Sequence, residues 1–328
     1  MSAISNATLK EIGEALFNAK SVILFPHENP DGDSIGSCVA LCTALRKRGV
    51  DAWALVEEKI PDQIAFIDEG GERCCTNDTD CIKEPEICAY IDCEGLSRIP
   101  GREEVFRRGR KSFCIDHHIA AECGEDLYYI DSEEASTTMI IYKLLKASGV
   151  EIDRHMANSI YTGLCTDTGN FQYTNTTQEA HRIATELFEL GVDHDDIMIR
   201  LNQSVDPRQT RLEGAALADV EFVCGGKAAM ACVTRKMVED CGALMEHADH
   251  LINVLRDIKG VEVAIVFKEK DPNVTKVSFR AKSYADVSKV ASQFGGGGHV
   301  RASGCTISEP MDTAKAQVVE AVKEALGE

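Results

Sequence analysis

The stretch Ser112-Phe113-Cys114-Ile115-Asp116-His117-His118 is an apolar run that breaks into one carboxylate and two imidazoles. A short apolar run bounded by polar residues reads as a buried strand. The three polar side chains therefore stand at a strand's carboxyl end. Alone, such a triplet has an ordinary reading as a turn with a satisfied histidine. Two other apolar runs end in the same way. Ser21-Val22-Ile23-Leu24-Phe25 runs into Pro26-His27-Glu28-Asn29-Pro30-Asp31-Gly32-Asp33, and Ile87-Cys88-Ala89-Tyr90-Ile91 runs into Asp92. Open α/β sheets bind ligands beyond the carboxyl ends of their strands. Three strands delivering His and Asp to that edge predict one metal site.

Outward from these runs the chain alternates strand and helix. Helices are expected at 6–19, with Asn6 as N-cap, at 34–48 and 135–148, each closed by a glycine, and at 154–165 and 178–190. With strands at 21–25, 51–56, 87–91 and 112–115, this predicts an α/β domain, a doubly wound parallel sheet over residues 1–202. Residues 203–219 read as a linker helix. The rest, 220–328, reads as a smaller α+β domain: a hairpin about Cys224–Lys227, a helix near 243–256, strands at 261–268 and 274–281, a short helix at 286–293, then a final strand and helix.

Composition narrows the function. The chain has 328 residues and a formal net charge of −19, from 35 basic and 54 acidic residues. So acidic a surface repels long duplex nucleic acid, whose binding rests on many Lys and Arg contacts, but not a short nucleotide. No apolar run approaches the roughly 18 residues of a membrane helix. Residues 1–6 lack a basic segment followed by an apolar stretch, so no signal peptide is expected. The fourteen cysteines include Cys88, Cys114 and Cys232 inside apolar runs, and no Cys-x-x-Cys pair occurs. Reduced thiols packed as small hydrophobes in a cytoplasmic protein fit this usage.

Each acidic segment has a bland reading: Asp33 and Asp92 as helix caps, Asp167 within Thr166-Asp167-Thr168-Gly169 as a turn residue. Jointly they read otherwise. Pro30 keeps Asn29 out of helical geometry and Gly32 lets the loop fold back, so His27, Asp31 and Asp33 can converge. Two divalent ions about 4 Å apart require a bridging carboxylate and further ligands on each side. His27, Asp31, Asp33, Asp92, His117 and Asp167 meet that requirement, and an oxygen and imidazole set suits Mn²⁺, Mg²⁺ or Fe²⁺. A second constellation is Gly295-Gly296-Gly297-Gly298-His299, with Arg301 and Ser303. Consecutive glycines let backbone N–H groups approach an anion, Arg301 can grip phosphate with two N–H groups, and His299 can donate to another oxygen. Arg280, at the end of a strand, could point the same way.

These residues resemble a known family. His27-Glu28-Asn29-Pro30-Asp31-Gly32-Asp33, Asp92, Asp116-His117-His118 and Thr166-Asp167-Thr168 look like the four motifs of the DHH phosphoesterases, in order, and Gly295–Ser303 resembles the signature of their DHHA1 companion domain. The resemblance covers nearly the whole chain. Its length is most similar to the group that cleaves short oligoribonucleotides (nanoRNA, and linear dinucleotides such as pApA) and 3′-phosphoadenosine 5′-phosphate. It implies an active site in an interdomain cleft. His27 and Asp31 would bind one Mn²⁺, and Asp33, His117 and Asp167 the other, with Asp92 bridging. Asp116 would orient the histidines, and His118 would lie beside the scissile phosphate. His299 and Arg301, with Gly297, Gly298, Ser303 and Arg280, would hold substrate. A water shared by the two ions would attack phosphorus as hydroxide, yielding a nucleoside 5′-monophosphate, or AMP and phosphate. The second motif departs from its relatives in carrying Glu94 where an Asp is common, so Glu94 receives no ligand role. The resemblance also admits a soluble cyclic-di-AMP phosphodiesterase, and a non-catalytic metal-bound nucleotide sensor is the reading from another class. A family-II pyrophosphatase lacks the glycine-His-Arg signature, and a RecJ-type exonuclease is usually longer. The chain could pair with a copy of itself.

Overall fold

Every residue of Ser21–Phe25 after Ser21 is buried, and Ile87–Ile91 is buried throughout. Strands apolar on both faces must be covered on both, and the computed structural model of the chain shows how. It describes residues 4–57, 59–118 and 123–327, with His299 described by its backbone alone. The chain divides into two units, Met1–Ser204 and Val205–Glu328.

The first unit runs β1 (Ile4–Ser5), α1 (Leu9–Phe17), β2 (Ser21–Phe25), α2 (Gly32–Lys47), β3 (Asp51–Leu55), β4 (Cys75–Thr76), β5 (Ile87–Ile91), α3 (Glu103–Arg107), β6 (Lys111–Asp116), β7 (Leu127–Ile130), α4 (Thr137–Ala147), α5 (Arg154–Asp167), α6 (Gln178–Glu189) and α7 (His194–Asn202). Its sheet has the order β1-β7-β6-β5-β2-β3-β4. Among the described residues only the β1–β7 pairing of this sheet is antiparallel. Strand order reverses between β2 and β5, and such a switch point opens a crevice at the carboxyl edge. On one face Val22, Leu24, Ala89, Ile91, Phe113 and Ile115 pack against helices that include α2, α4 and α5. On the other, Phe25, Cys88 and Tyr90 meet Val105 and Phe106 of α3, with Phe106 stacked on Tyr90 at 3.9 Å between ring centroids.

The second unit runs α8 (Pro207–Ala218), β8 (Glu221–Val223), β9 (Ala228–Val233), α9 (Arg235–Asp240), α10 (Leu251–Arg256), β10 (Val263–Asp271), β11 (Val274–Ala281), α11 (Val287–Gln293), β12 (Gly297–His299), β13 (Ala302–Ile307) and α12 (Met311–Leu326). Its sheet order is β12-β13-β11-β10-β9-β8, with β9 and β10 parallel and the other neighbours antiparallel. Leu212 of α8 and Leu251 of α10 pack on Ala231 and Val266. Val290 of α11 and Val318 of α12 pack on Ile265 and Phe279 from the opposite side.

Several boundaries differ from the sequence reading. The first helix begins at Leu9, because Thr8 and Glu11 form a reciprocal capping box. Asn6 is tied instead to Asp126 and Tyr128 beside β7. α2 begins at Gly32, two residues early, because Asp31 caps it. The helix read as a linker starts at Pro207 after its cap, Asp206, and contributes core to the second unit. The helix expected at 243–256 is a 3₁₀ turn at Met245–Ala248 followed by α10.

The approach of α2 to α5 depends on glycine. A Cβ on Gly36 would lie 2.4 Å from the Ser159 carbonyl oxygen. Gly36→Ala is expected to destabilise by about 1–3 kcal/mol, the usual cost of overpacking, although alanine favours a helix by about 1 kcal/mol. Gly214→Ala, in α8 with nothing within 4 Å of the added Cβ, is expected to be neutral or stabilising. Urea midpoints of the two variants at unchanged slope test the contrast.

Candidate metal centre

Four segments deliver side chains to the carboxyl edge of the first sheet. β2 passes through Pro26 to His27, whose Nδ1 donates to the Glu28 carbonyl at 2.7 Å, since a carbonyl can only accept. Asp31 Oδ1 accepts the N–H groups of Asp33 and Ser34, both at 3.0 Å, at the start of α2. Asp92 follows β5 directly with φ +56°, a left-handed conformation that non-glycine residues hold at about 1–3 kcal/mol. β6 ends at Asp116, whose Oδ1 accepts from the His117 N–H (2.7 Å), the His118 N–H (3.1 Å) and His118 Nδ1 (2.7 Å). Asp167 closes α5, and the backbone turns there through three consecutive positive φ angles at Gly169, Asn170 and Phe171.

The side chains meet in three overlapping groups: His27, Asp31 and Asp92; Asp33, His117 and Asp167; Asp92, His117 and His118. Within each group the potential ligand atoms lie within 4.8 Å of one another. Asp92 joins them. Its Oδ2 is 3.6 Å from His27 Nε2, while its Oδ1 is 3.6 Å from both His117 Nε2 and His118 Nδ1. Asp167 Oδ2 lies 3.2 Å from His117 Nε2, and Asp33 Oδ2 lies 3.9 Å from it. His117 Nδ1 donates to the Glu134 carbonyl at 3.2 Å. In His27 and His117 alike Nδ1–H is thus committed to a carbonyl, which leaves Nε2 as the ring atom free to turn to a metal ion once its own proton is displaced.

Crowding shows in the electrostatics. Burial and the nearby Asp92 charge push the Asp33 carboxyl up to about 7. Burial, then Asp33 and Asp31, raises Asp167 well above the usual range. Burial also works against a charge on Asp92, but contact with His27 and the charges of His117 and His118 holds that carboxyl below its ordinary value. Burial disfavours a charged His118, yet the hydrogen bond to Asp116 outweighs it and lifts the imidazole to about 9. Carboxylates and imidazoles, with no thiolate among them, form a donor set fit for a hard or borderline divalent cation.

Two contacts were not legible in the sequence. The N–H groups of Thr137 and Thr138, at the start of α4, donate to Asp33 Oδ2 (2.6 Å) and Oδ1 (2.8 Å). The run Ser136-Thr137-Thr138 signals a helix start, but nothing local ties it to Asp33.

The residues read as substrate-binding gather within the second unit. Gly297 and Gly298 form an edge strand, with Gly298 opposite Ser303, so the glycine run is partly hairpin rather than open loop. Gly298 has φ +132°, and a Cβ there would lie 2.6 Å from the Ala302 carbonyl oxygen. Arg301 donates to the Ala285 carbonyl (2.6 Å), Ser303 to the Val287 carbonyl (2.6 Å) and Arg280 to the Phe279 carbonyl (3.0 Å). Arg280 pairs with Ala302, while Ser303 pairs with Phe279, so Arg280 and Ser303 take alternate faces of the sheet. The side chain of His299 lies outside the described residues.

Comparison with known proteins agrees along both units. Residues 21–164 match the DHH family, N-terminal domain, and residues 234–328 match the DHHA1 domain. The bifunctional oligoribonuclease and PAP phosphatase NrnA of Thermus thermophilus is 32% identical over 307 residues, 93% of this chain and 90% of that protein. A probable manganese-dependent inorganic pyrophosphatase of an Exiguobacterium species is 28% identical over 217 residues, 62% of this chain and 67% of that one. The crystal structure of an exopolyphosphatase-related protein from Bacteroides fragilis superposes with TM-score 0.91 at 25% identity, covering 99% of each chain.

Cation uptake here should be opposed by protons. Below about pH 7 the metal-free cluster holds a proton on Asp33, and the upward shift of Asp167 favours another there; a cation must displace them. Affinity for Mn²⁺ is therefore expected to weaken as pH falls from 8 to 6, with more protons released per ion bound at the lower pH. Calorimetric titration in two buffers of different ionisation enthalpy measures both.

Proposed function

Because the chain belongs to the DHH family of phosphoesterases, with a DHHA1 domain behind its DHH domain, we propose that it hydrolyses short oligoribonucleotides to nucleoside 5′-monophosphates and 3′-phosphoadenosine 5′-phosphate to AMP and phosphate. The observation that carries this reading is Asp92, a buried carboxylate with one oxygen toward His27 and the other toward His117. In this reading His27 and Asp31 hold one divalent ion, Asp33, His117 and Asp167 hold a second, and Asp92 serves both. Mn²⁺ is the proposed ion, in keeping with the manganese-dependent relative. Bound ions would supply a hydroxide nucleophile near neutral pH and a counter-charge for the phosphoryl group.

The chain's own residues supply the rest. His118, kept protonated through Asp116, places a positive charge where phosphoryl oxygens gain negative charge. Arg301 spends one N–H on Ala285, and a guanidinium has five, so it retains donors for a phosphate. With His299, Gly297, Gly298 and Arg280 it forms the proposed substrate grip of the second domain, while Ser303, on the other face of the sheet, is held by the Val287 carbonyl and does not join it. The net charge of −19 favours short substrates over long duplexes. Among the described residues no helix is long and apolar enough to cross a membrane, and no disulfide joins the fourteen cysteines; a reducing, cytoplasmic setting is proposed on that ground.

Two measurements test the proposal. With Mn²⁺, turnover is expected on short RNA, pApA and 3′-phosphoadenosine 5′-phosphate; a panel including cyclic-di-AMP and pyrophosphate ranks them, and release from pyrophosphate alone would overturn the reading. Asp92→Asn is expected to lower kcat at least about 10³-fold, some 4 kcal/mol of barrier, with the circular dichroism spectrum unchanged.

A further inference from the structure

The start of α4 touches both halves of the cluster through one residue. Thr137 is fully buried. Its N–H donates to Asp33 Oδ2 at 2.6 Å, and its hydroxyl donates to Asp92 Oδ1 at 2.9 Å. An ionised carboxylate only accepts, so the direction of both bonds is set. Asp33 has its second oxygen held by the Thr138 N–H. The turn around these bonds is itself fixed. Ser136 caps the helix by accepting from the Met139 N–H, and its hydroxyl bonds that of Thr138. The Thr138 methyl fills the space that Gly163 leaves in α5, where a Cβ would come within 2.4 Å of it.

We propose that Thr137 is a positioning residue that sets the separation of Asp33 and Asp92, and thereby couples the two cation positions. The inference rests on the two-ion reading given above. Backbone and side chain of a single residue reach a carboxylate assigned to one ion and the carboxylate assigned to both. Rotation of Asp92 about its last torsion would break the hydroxyl bond. The hydroxyl therefore selects the rotamer in which Oδ2 faces His27 and Oδ1 faces His117. Supporting donors behind a metal-binding group typically change affinity 10–100-fold when removed.

The test is Mn²⁺ titration of the whole chain by calorimetry, with the metal-free melting temperature of each variant recorded alongside. Thr137→Val, which keeps the shape and the N–H but removes the hydroxyl, is expected to weaken Mn²⁺ binding 10–100-fold, with Thr137→Ser within a few-fold of wild type. A purely structural role would predict the same penalty in any background. Action through Asp92 predicts that Thr137→Val adds little further loss once Asp92→Asn is present, a non-additivity that the double-mutant cycle reads directly. Should Thr137→Val not fold, Thr137→Ala against Thr137→Ser completes the same cycle. Wild-type affinity in the hydroxyl-free variant, or full additivity in the cycle, overturns the proposal while leaving the metal site standing. A wild-type chain that binds no Mn²⁺ overturns the two-ion reading itself, and this proposal with it.

Discussion

The first unit is organised around carboxylates that repel one another. Asp31 and Asp92 come within 4.8 Å of each other, as do Asp33 and Asp167. Two unit charges at about 5 Å interact by roughly 3 kcal/mol at an effective dielectric of 20, and burial adds its own penalty. A cluster left to relax would splay apart or take up protons, as the raised Asp33 and Asp167 already show. The fold resists by giving each carboxylate a donor or a rigid seat. Asp31 is held by the first N–H groups of α2, Asp33 by those of α4, Asp92 by the Thr137 hydroxyl, and Asp167 by its place as the last residue of α5. Two helix N-termini thus turn their positive ends into the one cluster, α2 toward Asp31 and α4 toward Asp33, which favours negative charge there.

That demand reaches into the packing. To aim α2 and α4 at one point beside the end of α5, three helices must meet closely, and side chains would keep them apart. Gly32, Gly36 and Gly163 remove that obstacle. An added Cβ would lie 2.6 Å from Thr166 at Gly32, and 2.4 Å from Thr138 and 2.9 Å from the Asp33 Cα at Gly163. These glycines lie within helices, where glycine costs about 1 kcal/mol relative to alanine. The cost is offset by the approach they allow. The strained Asp92 belongs to the same account: its positive φ turns the chain out of β5 at the switch point between β2 and β5.

What the sequence disclosed follows from range. Strand ends were legible because β2, β5 and β6 are nearly continuous apolar runs, and an acid or histidine at the end of such a run is a local signal. His27, Asp31, Asp33, Asp92 and His117 were found that way, Asp167 instead as an acid flanked by hydroxyls and a glycine at the end of a helix, and the structure gathers them. Thr137 escaped because its contact with Asp33 spans 104 residues, and its local pattern, Ser-Thr-Thr before a helix, is complete as a cap. Asn6 misled for the converse reason: it has a good N-cap side chain, yet tertiary bonds to Asp126 and Tyr128 claim it, and Thr8 with Glu11 caps better. β7 was missed because three of its four residues are only half-buried. The glycine run read as loop because its strand character comes only from pairing with β13.

The histidines show how one residue type is given two jobs by its hydrogen-bond partner. His27 and His117 each donate Nδ1–H to a backbone carbonyl. A carbonyl carries no full charge, so it orients the ring and leaves Nε2 a neutral lone pair once the surrounding carboxylates are neutralised by a cation. His118 donates Nδ1–H to Asp116, a buried carboxylate, and a full negative charge at 2.7 Å retains the second proton. Both rings are shifted upward in the metal-free cluster, but for different reasons. After the opposing effect of burial, the leading cause for His117 is Asp92 with Asp33, groups that a cation would engage, whereas for His118 it is the bond to Asp116. A cation entering the cluster would therefore remove the main cause of protonation at His117 and leave that at His118 in place. The adjacent imidazoles of Asp116-His117-His118 can then serve as neutral ligand and as cation at the same pH, a division made by what each Nδ1 touches rather than by exposure, since both rings are similarly buried.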